Sequence, residues 1–305
     1  MKWDPNEGDS SEVEDRRGET GGGGGGGGFG GAGGFGGGGG GGFRPGGIHL
    51  GLGGTILLIA LYFLVGRGFL GGDGGGGGGG GQPSQAVGTQ TPADQDKLKQ
   101  FVTFVVTDVQ KTWKAKFDEM GKQYQISHLV LFSDAIDTGC GQASAEVGPF
   151  YCPADKKVYI DLSFYEELKR RFGAPGDFAQ AYVIAHEYGH HVQDLLGIEA
   201  QMRRAQEEHP DMQNRLSVAL ELQADCLAGV WAASTEERHL LEAGDFDQAM
   251  TAASAVGDDR LQKQAGRRVN PETWTHGSAE QRSRWFKQGF SQGKISACDT
   301  FSSGN

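Results

Sequence analysis

Apolar residues recur at three- and four-residue steps through Leu98, Val102, Val105, Val109, Trp113 and Phe117. A single stripe at that period predicts an amphipathic helix that opens a folded region near residue 94 and turns this face to the core. The pattern then shortens. Leu129-Val130-Leu131-Phe132, the region from Ala145 to Tyr151, and Lys157-Val158-Tyr159-Ile160-Asp161 are short apolar or alternating runs bounded by Gly, Pro and Asp. They predict the strands of a small sheet. The helical period returns from Ser163 to Phe172, from about 178 to 196, over Leu216 to Trp231, and through Trp285, Phe286 and Phe290. Asp177 with Gln180 resembles a capping box and Gly197 supplies a stop for the second of these, while Ser278 with Gln281 marks the N-cap of the last. The predicted class is α+β, mainly helical with a small β-sheet.

Ahead of residue 94 the periodicity disappears. Residues 1–20 are polar and acidic, and residues 21–81 hold most of the chain's 55 glycines. Such composition buries too little apolar surface to fold, so residues 1–47 are expected to be a disordered acidic, Gly-rich tail. Between Pro45 and Gly66 there is no formal charge, and Thr55 to Val65 is almost wholly apolar. A spanning helix needs about 20 apolar residues, so residues 48–70 are expected to form one transmembrane anchor. A Gly-rich linker over 71–93 would then tether a domain at 94–305. Arg44 and Arg67 nearly cancel in setting orientation; Arg16 and Arg17 favour an inside N-terminus, with the domain outside the cell membrane.

Charge and cysteines narrow the picture. A net charge of -11 argues against a nucleic-acid partner, because no basic stripe is visible. Cys140, Cys152, Cys226 and Cys298 all follow the apolar stretch. Their even number suits two bridges, Cys140 with Cys152 and Cys226 with Cys298, in an oxidising compartment, with buried free thiols as the alternative.

The chemistry concentrates in Ala185-His186-Glu187-Tyr188-Gly189-His190-His191, which holds His-Glu-x-x-His. Residues four apart on a helix share a face, so His186 and His190 can hold one metal ion with Glu187 toward its open side. Two imidazoles and a carboxylate inside an apolar helix are costly unless a cation compensates them. Gly189 suggests room for a metal or substrate, and His191, about 100° round the helix, reads as a non-ligand. A catalytic zinc usually takes three protein ligands. Gln193 and Leu196 exclude the metzincin continuation. Glu221 and Asp225 share a face of the next apolar helix, so Glu221 is the candidate third ligand and Asp225 the acceptor of a ligand ring N–H.

HEYGHHVQ with ELQADCLAGVW, GDDR and THGSAEQR resembles the bacterial neutral zinc metallopeptidases, from about residue 94 onward. The pairing of His-Glu-x-x-His with Glu-x-x-x-Asp is also similar to gluzincins, including the CAAX-prenyl endopeptidases. The resemblance implies a zincin-like domain with Zn2+ at His186, His190 and Glu221, Glu187 as catalytic base and Asp225 behind the ligands. The implied reaction is hydrolysis of a peptide or protein substrate by a zinc-activated water. His276, in a segment similar to the Thr-His-Pro of the prenyl endopeptidases with Gly277 in place of Pro, is the candidate oxyanion donor. An internal ion pair is expected of Asp258, Asp259 and Arg260, and the sheet edge at Val158 to Asp161 is expected to pair with an extended substrate. The alternative to a peptidase is a non-catalytic zinc-binding interaction module of the cell envelope, which would not require Glu187.

Overall fold

The computed structural model describes residues 1–19 and 91–302. The expected anchor at 48–70 and linker at 71–90 lie outside the described residues. In chain order the regular elements are β1 (Val13–Asp15), α1 (Pro92–Glu119), β2 (Leu129–Phe132), β3 (Ala135–Thr138), β4 (Gly141–Ser144), β5 (Phe150–Cys152) and β6 (Lys157–Asp161). Then follow α2 (Ser163–Arg170), α3 (Asp177–Leu195), α4 (Ile198–Glu208), α5 (Gln213–Glu237), α6 (Asp245–Ala255), α7 (Asp258–Gln264) and α8 (Ala279–Gln292). The class is α+β, mainly helical with a small sheet.

Helix α1 starts on a capping box in which the Thr91 hydroxyl accepts the Asp94 N–H and Asp94 bonds back to Thr91. Its stripe is core as expected, with Val102, Val105, Val109, Trp113 and Phe117 buried. Helices α3 and α5 pack on it and on each other, and α8 packs on α5, burying Tyr182, Ile184, Tyr188, Trp231 and Phe286. The helical stretch Pro210–Glu237 is long and apolar enough to cross a membrane, yet 94% of its apolar window is buried inside the protein, so its apolarity serves the core.

The main sheet has the order β1-β2-β6-β5, with β1, β2 and β6 parallel and β5 antiparallel to β6. Two expectations fail here. Strand β6, proposed from sequence as a substrate-binding edge, lies in the interior of the sheet between β2 and β5. Its neighbours take its hydrogen-bonding groups on both sides, and the edges are β1 and β5. Secondly, residues 1–19, the described part of the expected 1–47 tail, are ordered against the domain. Met1 and Val13 are buried, Val13–Asp15 pairs with Leu129–Leu131, and Asp9 caps a short 3-10 turn at Ser10–Glu12. Widely spaced apolar anchors in an acidic segment carry little periodic signal, which is why composition misjudged it.

The hairpin β3–β4, absent from the sequence reading because its residues are mostly small or polar, covers a second core cluster around Phe132, Phe150 and Tyr159. A Cys140–Cys152 disulfide fastens the hairpin turn to β5, and a Cys226–Cys298 disulfide fastens the C-terminal segment to α5. The start of α3 also differs from expectation. Gly176, at φ 114°, is its N-cap without a side-chain cap, and the Phe178 N–H is satisfied by Gln248 Oε1 of α6. Gly197 ends the helix in the left-handed conformation, and Ser278 with Gln281 forms a capping box on α8.

Candidate metal centre

Helices α3 and α5 cross at Gly189. A Cβ there would stand 3.0 Å from the Ala224 carbonyl oxygen and 3.2 Å from its Cα. The glycine therefore makes room for the α5 backbone, not for a metal or substrate as the sequence suggested. This close crossing brings the Glu221 side of α5 against the His186 and His190 side of α3. His186 Nε2 lies 3.3 Å from Glu221 Oε2, and His190 Nε2 lies 3.5 Å from Glu221 Oε1. Ligand atoms about 2.0–2.2 Å from a tetrahedral zinc stand roughly 3.3–3.5 Å apart, so the spacing fits that ion. All three side chains are buried, and ligand atoms from them lie within 4.8 Å of one another. His186 Nε2, His190 Nε2 and Glu221 Oε2 are buried without hydrogen-bond partners. Buried polar atoms are normally paired, so three unpartnered atoms on one group fit a cation-binding role.

Each imidazole is oriented through its other nitrogen. His186 Nδ1 donates to Asp225 Oδ1 at 2.9 Å. His190 Nδ1 donates to Gln193 Oε1 at 2.8 Å, and Gln193 Nε2 in turn donates to the Leu220 carbonyl at 2.8 Å and to Gln223 Oε1 at 3.0 Å. Both bonds place the ring proton on Nδ1 and leave Nε2 as the free donor for a metal. Asp225 is itself held by Arg282, whose Nε and Nη2 donate to its two oxygens at 2.7 and 2.9 Å. Tyr182 Oη also donates to Asp225. Arg282 is 1% exposed and Asp225 fully buried, so this is an ion pair inside the core.

The environments push the titrations apart. Burial disfavours charge on His186, but the Asp225 carboxylate outweighs it and lifts the imidazole to about 9. His190, which faces a neutral amide, is pulled down by burial to about 4. Burial opposes ionisation of Glu221, yet the neighbouring histidines hold it at about 2. Asp225 falls well below the usual carboxylate range because Arg282 and His186 overcome its burial. At Glu187 burial outweighs the pull of His186, of Arg282 and of a backbone N–H from Tyr151. Burial pushes its carboxyl up to about 8, and its Oε2 is another orphan.

His276 lies near enough to the group for its charge and that of Glu221 to act on each other. Asp258 Oδ2 accepts the backbone N–H groups of Thr275, His276 and Gly277 at 2.9, 2.7 and 3.0 Å, and Asp258 Oδ1 lies 3.1 Å from His276 Nδ1. Asp258 thus organises the His276 loop instead of pairing with Arg260. Gly277 at φ 89° supplies one of those N–H groups in a conformation closed to proline. Burial works against the charged form of His276, but Asp258 raises its pKa on balance, and its Nε2 is buried and unpartnered. His191 stands apart from the cluster, as expected: its ring bonds the Tyr151 hydroxyl and the Gln125 carbonyl. A cavity of about 20 Å³ reaches His186 and Glu187, walled by Pro149, Phe164, Val183, Ala252 and Val256. That is room for about one water.

Arg282, Gln193 and the role of Asp258 were missed in the sequence. Arg282 carried a usable signal, because it lies three and four residues before Trp285 and Phe286 and so shares the buried face of α8.

Comparison with known proteins follows the same lines. The chain is 46% identical over 303 residues to the uncharacterized protein YpfJ of Escherichia coli K12, covering 99% of each chain. It is 47% identical over 225 residues to the uncharacterized protein Rv2575 of Mycobacterium tuberculosis H37Rv, covering 70% of this chain and 74% of that one. No solved structure matches. Residues 1–301 match the profile of the family described as "Putative neutral zinc metallopeptidase", and the chain belongs to that family.

Proposed function

We propose that the chain is a membrane-attached, gluzincin-like zinc endopeptidase acting on peptide or protein substrates, with a zincin-like domain outside the cytoplasm. The ligands are His186, His190 and Glu221. Bound there, zinc would lower the pKa of a water toward ~7 and polarise the scissile carbonyl. Glu187 takes the water proton and passes it to the leaving amine; burial alone favours its neutral form, and the charge of a bound cation would restore the carboxylate that this step needs. His276, held by Asp258, presents Nε2–H to the developing oxyanion. Arg282 and Asp225 fix the His186 ring, and Gln193 fixes that of His190. Peptide entry requires the wall at Pro149, Phe164, Ala252 and Val256 to move, since the space now holds about one water. The two disulfides support an oxidising compartment.

The observation that carries this reading is Glu187 itself: a buried carboxyl with an unpartnered oxygen beside, but not within, the three-ligand group. A purely structural zinc site has no use for it. Glu187→Gln should retain stoichiometric zinc and lose cleavage of an unbiased peptide library. Cleavage at the wild-type rate would overturn the mechanism, and cleavage by neither protein would favour the interaction-module reading.

A further inference from the structure

A second cavity, of about 340 Å³, opens where the N-terminal arm (residues 1–19) meets the start of α1, the helix α2 and the start of α3. Its lining includes neither the candidate ligands nor Glu187 or His276. The arm supplies part of the wall: the Trp3 ring meets Phe101 edge-on at 5.4 Å, and with Leu98 these rings make an apolar surface. Backbone bonds hold the arm in place on both sides of Trp3. The Lys2 N–H donates to the Leu240 carbonyl and the Asp9 N–H to Thr107 Oγ1, each at 2.8 Å. The same lining holds two polar groups without partners. Tyr165 is 3% exposed and its hydroxyl has no hydrogen-bond partner, and Gln180 Oε1 is likewise buried and unpartnered. Buried polar atoms are normally paired, so two unpartnered ones in one lining fit a ligand-binding role.

Charge decides what kind of ligand. The acids of the lining, Asp94, Glu166 and Asp177, are matched by Lys97, Lys169 and Arg170, the last of which stands 3.4 Å from Glu166. The start of α3 then tips the balance. Its N-cap Gly176 has no side chain to satisfy the first amides, of which Gln248 Oε1 takes that of Phe178. A helix N-terminus carries partial positive charge and favours an anion. We propose that this cavity binds an N-acylated apolar amino acid, free or as the last residue of a peptide. The apolar side chain lies on Trp3, Leu98 and Phe101, the amide N–H donates to Gln180 Oε1, and the carboxylate accepts from the Tyr165 hydroxyl at the positive end of α3. Each unpartnered group gains the partner it lacks. A free amino group is excluded, because its ammonium would face that same helix end. The volume, about 340 Å³, lies at the small end of ligand pockets and suits one residue.

The test is calorimetric titration of the full-length protein and does not depend on catalysis. N-acetylleucine should bind saturably, and N-acetylleucinamide, which lacks the carboxylate, about tenfold more weakly or less. Tyr165→Phe should weaken N-acetylleucine by about tenfold, since the hydroxyl's bond to a charged group is lost. The same variant deletes a buried hydroxyl that has no partner in the free protein, so its urea midpoint should equal or exceed that of wild type, which separates lost binding from lost folding. Trp3→Ala, which opens the apolar wall, should weaken binding as well. Acetyl-alanyl-alanyl-leucine, recovered intact, distinguishes the two sources: tighter binding than N-acetylleucine assigns the end of a peptide, and weaker binding assigns the free ligand. Absence of saturable binding by both acids, equal binding of the amide, or unchanged affinity in Tyr165→Phe would overturn the proposal.

Discussion

Arg282→Met isolates the buried charge behind the candidate ligand His186. The change keeps much of the side-chain volume but removes both donors to Asp225, whose side chain is 0% exposed. Breaking a buried pair by removing one partner typically costs about 3–5 kcal/mol, because the other charge stays buried without compensation. Domains of this kind are stable by about 5–15 kcal/mol, so the loss is a large fraction of the whole. Asp225 retains Tyr182 and His186 as partners, which places the expected cost toward the lower figure, about 3 kcal/mol. The assay is urea unfolding of the zinc-free, disulfide-intact protein at pH 7, followed by tryptophan fluorescence, with Trp231 and Trp285 in the core reporting. Asp225→Asn combined with Arg282→Met removes both charges, and should recover about 2 kcal/mol relative to the sum of the single changes. Arg282→Lys should fall between, since an ammonium lacks the fork that meets both carboxylate oxygens. Additive single changes, or Arg282→Met within about 0.5 kcal/mol of wild type, the range of an ordinary surface substitution, would refute the coupling.

Three further outcomes are expected. Cys298→Ser opens a bridge with a sequence separation of 72 and should cost about 4 kcal/mol by loop entropy, read as a lower urea midpoint; no change would mean that the tail is held by its other contacts. Gly189→Ala should cost about 1–3 kcal/mol, because the methyl meets the Ala224 carbonyl at 3.0 Å and α3 and α5 must separate; unfolding at the wild-type midpoint would remove the close crossing as the cause of the site's geometry. In the zinc-free protein His186 lies at about 9, above its unfolded value near 6.5, so its stabilisation is fully present below about 6.5 and is lost as pH rises through 9. The same proton competes with zinc, so chelator competition should show affinity rising with pH between about 6 and 9, and a flat profile would contradict the assigned protonation.

Much of the fold was legible because its helices are strongly periodic. The stripe from Leu98 to Phe117, the run around Glu221 and the capping box at Ser278 translate directly into α1, α5 and α8. The grouping of His186, His190 and Glu221, with Asp225 behind His186, was legible for a related reason: four-residue spacing on a helix is a geometric statement, and each pair needed only that spacing. What escaped depends on tertiary contact. Nothing local to Asp258 says that three amide groups of a distant loop will point at it, and Arg260 next door offered a nearer but wrong partner. The small hairpin at Ala135–Ser144 lacks the apolar alternation that announces strands, and its register is set by packing against Phe132 and Phe150. The N-terminal arm is the largest miss. Met1, Trp3 and Val13 are too far apart for any period, and each is bound by a different element of the domain.

The three buried imidazoles differ in what stands behind them, and under the proposed mechanism that difference suits them to different tasks. His186 is backed by a carboxylate, His190 by a neutral amide and His276 by a carboxylate that also holds three backbone amides. A carboxylate behind a ligand imidazole strengthens it as a donor but also favours its protonated form when no metal competes. Arg282 limits that effect at His186 by taking both oxygens of Asp225. The neutral Gln193 gives the opposite compromise: a weaker donor that needs no deprotonation, because burial already keeps His190 neutral. At His276 there is no reason to avoid the protonated form. Asp258 raises its pKa and leaves Nε2 as a buried donor with nothing to bond, the condition an oxyanion would satisfy. His276→Gln therefore serves as the sharpest check on this division of labour. It should leave zinc affinity within about threefold, since His276 is outside the ligand set, while lowering kcat by roughly 10²–10³ with little change in KM. A loss of zinc of the size expected for a ligand's partner, about 10–100-fold, would instead place His276 behind the metal and leave the oxyanion without an assigned donor.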